Sequence, residues 1–428
     1  MNTNNHIKVI NYRPIILVSN SSWYLFHYRK LLIKEIKKAK HYLLALAPYD
    51  SSSIKLSKLL IHIPWRMSRT NEQNIYSFFI SSLRMILLIR AIKPKLIHSH
   101  TLQANLISTI ASFLFGINCV LSFAGVGRFS SSKGLSRILF ILIFKLIYLL
   151  SNYQRQSRYK YIPSKKRVVF IFQNQCDIDF IKNQICEIEE SSFHLIPGSG
   201  VPNVYINKSE KFKKLSSWLN SNKSKLANKF TFIYCARLLR NKGILIFIEL
   251  SKLYPNSKFL IYGSIDLSSN DSLSNKDILR LKNLKNIYFM NNKENPLLQK
   301  NHPYPILVVP SIYGEGFPRG IIEANTLSIP VIASSDSAKK IEIKELLYIS
   351  ENNNIKSYQK CIEKIVTDYK TGKISTKINN ARRKAINNFS EEIIVKKTLK
   401  IYDSFSGEIN KSYIFKKDKN KLKNWVAQ

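Results

Sequence analysis

The sequence predicts an α/β protein made of two facing, doubly wound Rossmann-like domains with a cleft between them. Three observations predict it. Short apolar runs rich in β-branched residues alternate with helix-length segments, the pattern of parallel sheets covered on both faces. The alternation breaks at the polar stretch VPNVYINKSEKFKK (201–214), so it falls into two series. The 428 residues include only 13 glycines, and nine of these (125, 127, 198, 200, 243, 263, 314, 316 and 320) stand at the ends of predicted strands or at loop-to-helix turns. Glycine there lets backbone turn sharply or approach a ligand closely. Ligands of such folds bind outside the carboxyl ends of the strands, which two facing domains turn into a cleft.

The first series of strands reads PIILVSN (14–20), YLLALAP (42–48), LIHIP (60–64), KLIHSH (95–100), CVLSFAG (119–125), RVVFIFQN (167–174) and FHLIPGSG (193–200). Helical segments such as WYLFHYRKLLIKEIKKA (23–39) and IYSFFISSLRMILLIRAI (75–92) lie between them. The second series reads FTFIYCARLL (230–239), KFLIYGS (258–264), NIYFMNN (286–292), ILVVPS (306–311) and IPVIASS (329–335). The expected division is a first domain over 1–205, a second over 206–388, a helix over 389–405 and a basic tail over 406–428.

Charge narrows the partners. There are 67 Lys/Arg against 27 Asp/Glu, a net +40. Residues 1–176 hold 26 Lys/Arg but only three acids, Glu35, Asp50 and Glu72, and none occurs between Glu72 and Asp177. The first half is therefore expected to face something anionic: nucleic acid, acidic lipid headgroups or a pyrophosphate substrate. The basic residues are not interleaved with aromatics as in a recognised nucleic-acid module, so no nucleic acid is expected. The five cysteines (119, 176, 186, 235 and 361) have no paired ligand spacing, which predicts neither a zinc site nor a disulfide framework. No carboxylate cluster suggests a divalent metal. The start, MNTNNHIKVI, lacks the apolar stretch of a signal peptide, so a reducing cytoplasm is expected. ILFILIFKLIYLL (138–150) has thirteen residues, too few to span a bilayer. It reads either as a buried core helix or as an interfacial helix on anionic lipid. No transmembrane helix is expected elsewhere.

Two stretches carry the chemistry. EGFPRGIIE runs from Glu315 to Glu323 after the ILVVPS strand. Its glycines and Pro318 mark a tight loop and a helix start, whose free N–H groups favour an anion. Arg319 strengthens that preference. Carboxylates touching the same anion would repel it, so Glu315 and Glu323 read as acceptors for sugar hydroxyls on either side of a diphosphate. ARLLRNKGI (236–244) follows the first strand of the second series and sets Arg237 and Lys242 five residues apart across a strand-to-helix loop. Both can converge on a diphosphate.

Taken in order, SFAGVGRF (122–129), IPGSGV (196–201), ARLLRNKGI and EGFPRGIIE resemble retaining glycosyltransferases of the GT-B fold, family 4. SNSSWYLFHYRKLL (19–32), LIHSHT (96–101) and FQNQCD (172–177) are similar to the bacterial members that extend lipid-linked sugars, and the resemblance covers about 14–405. It implies that Glu315 contacts donor-sugar hydroxyls and Glu323 the ribose. It implies further that the backbone at Phe317, Pro318, Arg319 and Gly320 takes the distal phosphate, and that Arg237 and Lys242 take the diphosphate. His100 would lie near the reacting sugar, and Gly125 and Gly127 would line the donor cleft. FSEEIIVKKTLKIYDSF (389–405) resembles the last helix, which in this fold crosses back onto the first domain. The sequence departs from the family at Pro202, where Asp is usual, at SSDSAKKIEI (334–343), which replaces a G-x-x-E element, and at KENPLLQKNHPYP (293–305).

The implied activity moves a hexose or N-acetylhexosamine, with retention, from a nucleotide diphosphate sugar, UDP-linked, to a polyprenyl-diphosphate saccharide in surface polysaccharide or glycan assembly. No cofactor and no metal are implied. The expected partners are donor, lipid-linked acceptor and an anionic membrane, with the protein peripheral on the cytoplasmic face of the plasma membrane. The alternatives are another GT-B enzyme, such as a nucleotide-sugar epimerase, or a basic nucleic-acid-binding protein.

Overall fold

A computed structural model describes residues 13–65, 75–126, 134–156, 168–207 and 230–405, apart from 267, 268, 270, 291–295, 299–301, 313, 314 and 342. Gly127 and the 406–428 tail lie outside the described residues.

The first domain holds β1 (Ile15–Ser19), β2 (Leu43–Ala47), β3 (Ile61–Pro64), β4 (Leu96–His100), β5 (Asn118–Phe123), β6 (Val168–Phe172) and β7 (Phe193–Leu195). They form one sheet in the order β3-β2-β1-β4-β5-β6-β7. β8 (Thr231–Cys235), β9 (Lys258–Tyr262), β10 (Ile287–Phe289), β11 (Pro305–Val309), β12 (Val331–Ser334) and β13 (Tyr348–Ser350) form the second, ordered β10-β9-β8-β11-β12-β13. The pairings between named strands are parallel. The strand order reverses beside β1 and β8, which gives each sheet a switch point: β1 against β4 and β8 against β11. The α/β class with two Rossmann-like sheets is therefore the one read from the sequence.

Both faces of each sheet are buried, which is why the strands read as continuous apolar runs. In the first domain Ile16, Val18, Ile97 and Phe170 pack on one side with Met85, Ile107 and Phe144. Ile15, Leu17 and Leu96 pack on the other side with Leu25, Leu32 and Ile36. The helix Glu391–Ser404 joins this second layer through Ile394, Val395, Ile401 and Tyr402. It follows the helix Lys373–Phe389, whose Phe389 packs in the second domain. The crossing is pinned where Val201 N–H donates to Phe389 O (2.8 Å) and Glu391 N–H to Val201 O (3.0 Å). Gly200, at φ +80°, makes room for it, since a Cβ there would lie 2.4 Å from Glu391 Cα.

Four elements differ from the sequence reading. The 23–39 segment forms two helices, Ser22–Tyr28 and Lys30–Lys38, because Arg29 leaves helical geometry (φ −125°, ψ 11°) and turns inward, donating to Tyr24 Oη at 2.8 Å. The 193–200 run is a strand only over Phe193–Leu195, its glycines turning at φ +67° and +80°. β13, Tyr348–Ser350, is absent from the sequence reading. The 138–150 run is part of a longer helix, Leu135–Gln156, of 22 residues. The expectation of a segment too short to span is corrected: Leu135–Tyr153 is long and apolar enough to cross a membrane, by length and composition. Polar Ser151 and Asn152 prolong it because helical hydrogen bonds close within the backbone whatever the side chains.

Candidate active site

The site lies at the β8/β11 switch point, where such sheets bind ligands. After β8 the chain turns through Arg237–Leu239 into a short 3₁₀ turn, Arg240–Lys242. Gly243 ends that turn at φ +74°, with a would-be Cβ 1.9 Å from Pro310 O, so only glycine fits between the two loops. This close approach carries Lys242 to the loop after β11. Lys242 Nζ lies 2.8 Å from Glu315 Oε1, and Ser311 Oγ donates to the same oxygen at 2.5 Å. Arg237, half exposed, pairs with Asp266 at 2.5 Å. A cavity of about 250 Å³ is lined by Arg237, Lys242, Ser311, Glu315, Pro318 and Gly320, together with the ends of β8 and β11.

Glu323 sits apart from that cavity's wall. It is one turn into the helix Arg319–Thr326 and is buried, accepting from Arg319 Nε at 2.7 Å. Arg319 also donates to Ser199 Oγ (3.0 Å) and stacks 4.6 Å from the centre of the Tyr28 ring, so it joins the two domains. Burial opposes the guanidinium's charge, but Glu323 and Tyr28 outweigh it and hold the pKa above its ordinary value. Burial and Glu323 together push the Tyr205 hydroxyl well up.

The loop Phe317–Gly320 differs in detail from a row of free N–H groups. Pro318 is the residue before the helix rather than its first, and it has no N–H. Arg319 N–H donates to Phe317 O at 2.8 Å. Gly320 lines the cavity, while the Phe317 ring packs on Phe389 and against Gly198.

His100 is enclosed. It is fully buried at the end of β4, its ring 4.2 Å from that of His98 and 5.3 Å from that of Tyr24, and it is not among the residues lining the cavity. Neither ring nitrogen has a hydrogen-bond partner among the described residues. Burial pushes its pKa well below the ordinary value, and His98 and Arg29 add to this. His98 is held by Tyr402 Oη on one nitrogen (2.6 Å) and Ser122 Oγ on the other (2.8 Å). Gly125, at φ +113°, meets the second domain directly: a Cβ there would lie 2.3 Å from Gly316 Cα.

Sequence reasoning assigned no role to Asn174, Asp177 and Lys340, which meet across the cleft. Asp177 is 1% exposed and pairs with Lys340 at 3.0 Å. One signal pointed there: Asp177 is the first acid after a long purely basic stretch and closes the FQNQCD motif. Among the described residues no group of three or more His, Cys, Asp or Glu side chains is placed to hold a metal ion.

Residues 216–385 match the family model of group 1 glycosyl transferases. The chain is 27% identical over 350 residues to a capsular polysaccharide biosynthesis glycosyltransferase of Staphylococcus aureus, CapM, covering 78% of this chain and 83% of that one. It is 26% identical over 346 residues to the UDP-Gal:α-D-GlcNAc-diphosphoundecaprenol α-1,3-galactosyltransferase of Escherichia coli, covering 76% and 78% of the two chains. In structure it is similar to a glycosyltransferase from Rickettsia africae, with a TM-score of 0.66, 20% identity, and coverage of 94% of this chain and all of that one.

Proposed function

We propose that this chain, a glycosyltransferase of the GT-B fold, transfers a hexose or N-acetylhexosamine from a nucleoside diphosphate sugar to a lipid-linked saccharide, with retention at the anomeric carbon. The observation that carries the reading is the Lys242–Glu315 pair on one cavity with Arg237, at the β8/β11 switch point. A donor diphosphate entering there takes Lys242 and Arg237 from their present carboxylate partners. Glu315 is then released to accept hydroxyls of the transferred sugar. Both cations stabilise the negative charge that builds on the departing diphosphate, and a cleft closed to water strengthens that effect. Glu323, one turn into the helix Arg319–Thr326, takes the ribose by exchanging part of its contact with Arg319. Neither a metal nor a cofactor is needed where the cations supply the charge. The leaving phosphate accepts the acceptor's proton, so no strong protein base is required. The α-1,3 linkage named for the E. coli relative is what a retaining enzyme makes from an α-linked donor, and its lipid-linked acceptor supports the acceptor class. The family match and these two relatives are transferases, which disfavours the epimerase and nucleic-acid readings.

The same reading places the protein on the inner face of a membrane. Phe140, Phe144 and Ile147 of the helix Leu135–Gln156 pack into the first domain's core. Its opposite face, with Leu135, Leu142, Leu149 and Tyr153, is exposed. Tyr76, Phe79, Leu83 and Leu87 of the helix Ile75–Ile92, on the same side of the sheet, are exposed too, and so is Leu114. Lys145, Arg84 and Arg90 stand exposed among them. A helix with one narrow face in a domain core, apolar outside and bordered by cations, suits lying in an anionic interface better than crossing it. Incubation with a panel of nucleotide sugars and a polyprenyl-diphosphate saccharide tests the activity; no extended lipid from any donor would refute it.

A further inference from the structure

Asp177 is a hub between the domains. It lies in the first turn of the helix Gln175–Gln184, which Asn174 caps by accepting the Asp177 N–H at 2.9 Å. Its Oδ2 accepts from Val126 N–H (3.1 Å), fixing the loop after β5, and from Asn174 Nδ2 (2.9 Å). Its Oδ1 accepts from Lys340 Nζ (3.0 Å), which also donates to Asn174 Oδ1 (3.3 Å). Asn174 Nδ2 reaches across to Gly316 O at 2.6 Å, and Gly316 follows Glu315 in the chain. Gly316 itself sits so close to the first domain that a Cβ would lie 2.2 Å from Ala124 O. The side chains of Lys340 and Asp177 are 8% and 1% exposed. A buried ion pair of this kind adds little net stability, because desolvation offsets the attraction, and its best-attested use is to fix a registry. The partners here belong to different domains, and what they set in register is the loop carrying Glu315.

We propose that Asn174, Asp177 and Lys340 form an interdomain clamp that holds the Glu315 loop against the first domain, and that they act as positioning residues for sugar transfer. The clamp rests on interdomain geometry alone; its effect on turnover rests on the transferase reading above. Lys340 falls in the SSDSAKKIEI segment where the sequence departs from the family, and Asn174 and Asp177 belong to FQNQCD. Both motifs thereby acquire a shared role. The side-chain hydrogen bonds of Lys340 run to Asn174 and Asp177 rather than to the donor-site residues, so it acts by setting the distance between Glu315 and whatever the first domain presents. A misplacement of about 1 Å costs on the order of a hundredfold in such a reaction.

The test uses the full chain as wild type, Lys340→Met and Lys340→Arg. Small-angle scattering without substrate reads the radius of gyration, and steady-state kinetics read kcat and the donor KM. Lys340→Met is expected to give a larger radius of gyration and to lower kcat by about a hundredfold with little change in KM; Lys340→Arg is expected to restore both. A folded Lys340→Met with unchanged radius of gyration would overturn the clamp, and an unchanged kcat beside a larger radius of gyration would overturn its positioning role. Should Lys340→Met not fold, Asp177→Asn, which keeps an acceptor for Val126, decides by the same two readings. If the wild type transfers no sugar, the transferase reading fails, and the radius of gyration alone decides the clamp.

Discussion

Lys242 Nζ and Glu315 Oε1 stand 2.8 Å apart across two loops that meet only because Gly243 has no side chain. The pair is a cation and a carboxylate held at the mouth of a cavity, each ready to exchange its partner for a part of the donor. Replacing either by alanine is expected to lower transfer by at least about a hundredfold while the fold survives. Steady-state rates of the folded variants check this, and normal turnover in either would remove the donor-site assignment.

Gly125 and Gly316 make the domain contact that no side chain permits. Gly125→Ala adds a Cβ 2.3 Å from Gly316 Cα and strains a φ of +113°. It is expected to part the domains and to lower kcat tenfold or more, with a thermal melt showing that both domains stay folded. Wild-type turnover by Gly125→Ala would show that this contact has no bearing on transfer.

His98 and His100 are fully buried, and burial pushes both pKa values well below 6.5. A histidine whose native pKa is depressed contributes stability that is present above its unfolded value and lost as pH falls toward the native one. Unfolding then takes up a proton at each of these two rings, so stability should fall as pH drops below 6.5 toward the native values. Urea titrations at several pH values measure the slope. His100→Phe should make it shallower, and an unchanged slope would place proton uptake elsewhere.

The exposed apolar face of Leu135–Gln156 and its basic surroundings predict binding to vesicles containing anionic lipid, release in high salt and poor binding to zwitterionic vesicles. Each basic residue near such a surface contributes about 1 kcal/mol, screened over roughly a Debye length. Leu142→Glu with Leu149→Glu, both on exposed positions, should abolish sedimentation without unfolding the domain. Equal binding to both vesicle types, or none to either, would contradict the membrane assignment.

The strands were legible because both faces of each sheet are buried, so Ile16, Val18, Ile97 and their neighbours leave an uninterrupted apolar record. The break at Arg29 was not, since the 23–39 spacing continues helically through it and only the buried contact with Tyr24 ends the helix. At the site, Glu315, Arg237 and Lys242 were marked by their motifs, but the enclosure of His100 was not. A histidine ending a strand looks alike whether its ring faces a cleft or, as here, Tyr24 and His98. The Asp177–Lys340 pair joins positions 163 residues apart, and nothing in one sequence links them.

The most direct test of the whole account is the product. The purified protein, given UDP-hexoses and UDP-N-acetylhexosamines of α configuration with a polyprenyl-diphosphate saccharide, should extend that lipid by one sugar. The anomeric proton coupling of the released glycan should be that of an α linkage. A β-linked product would contradict retention, and an unchanged lipid with every donor would contradict the transfer itself.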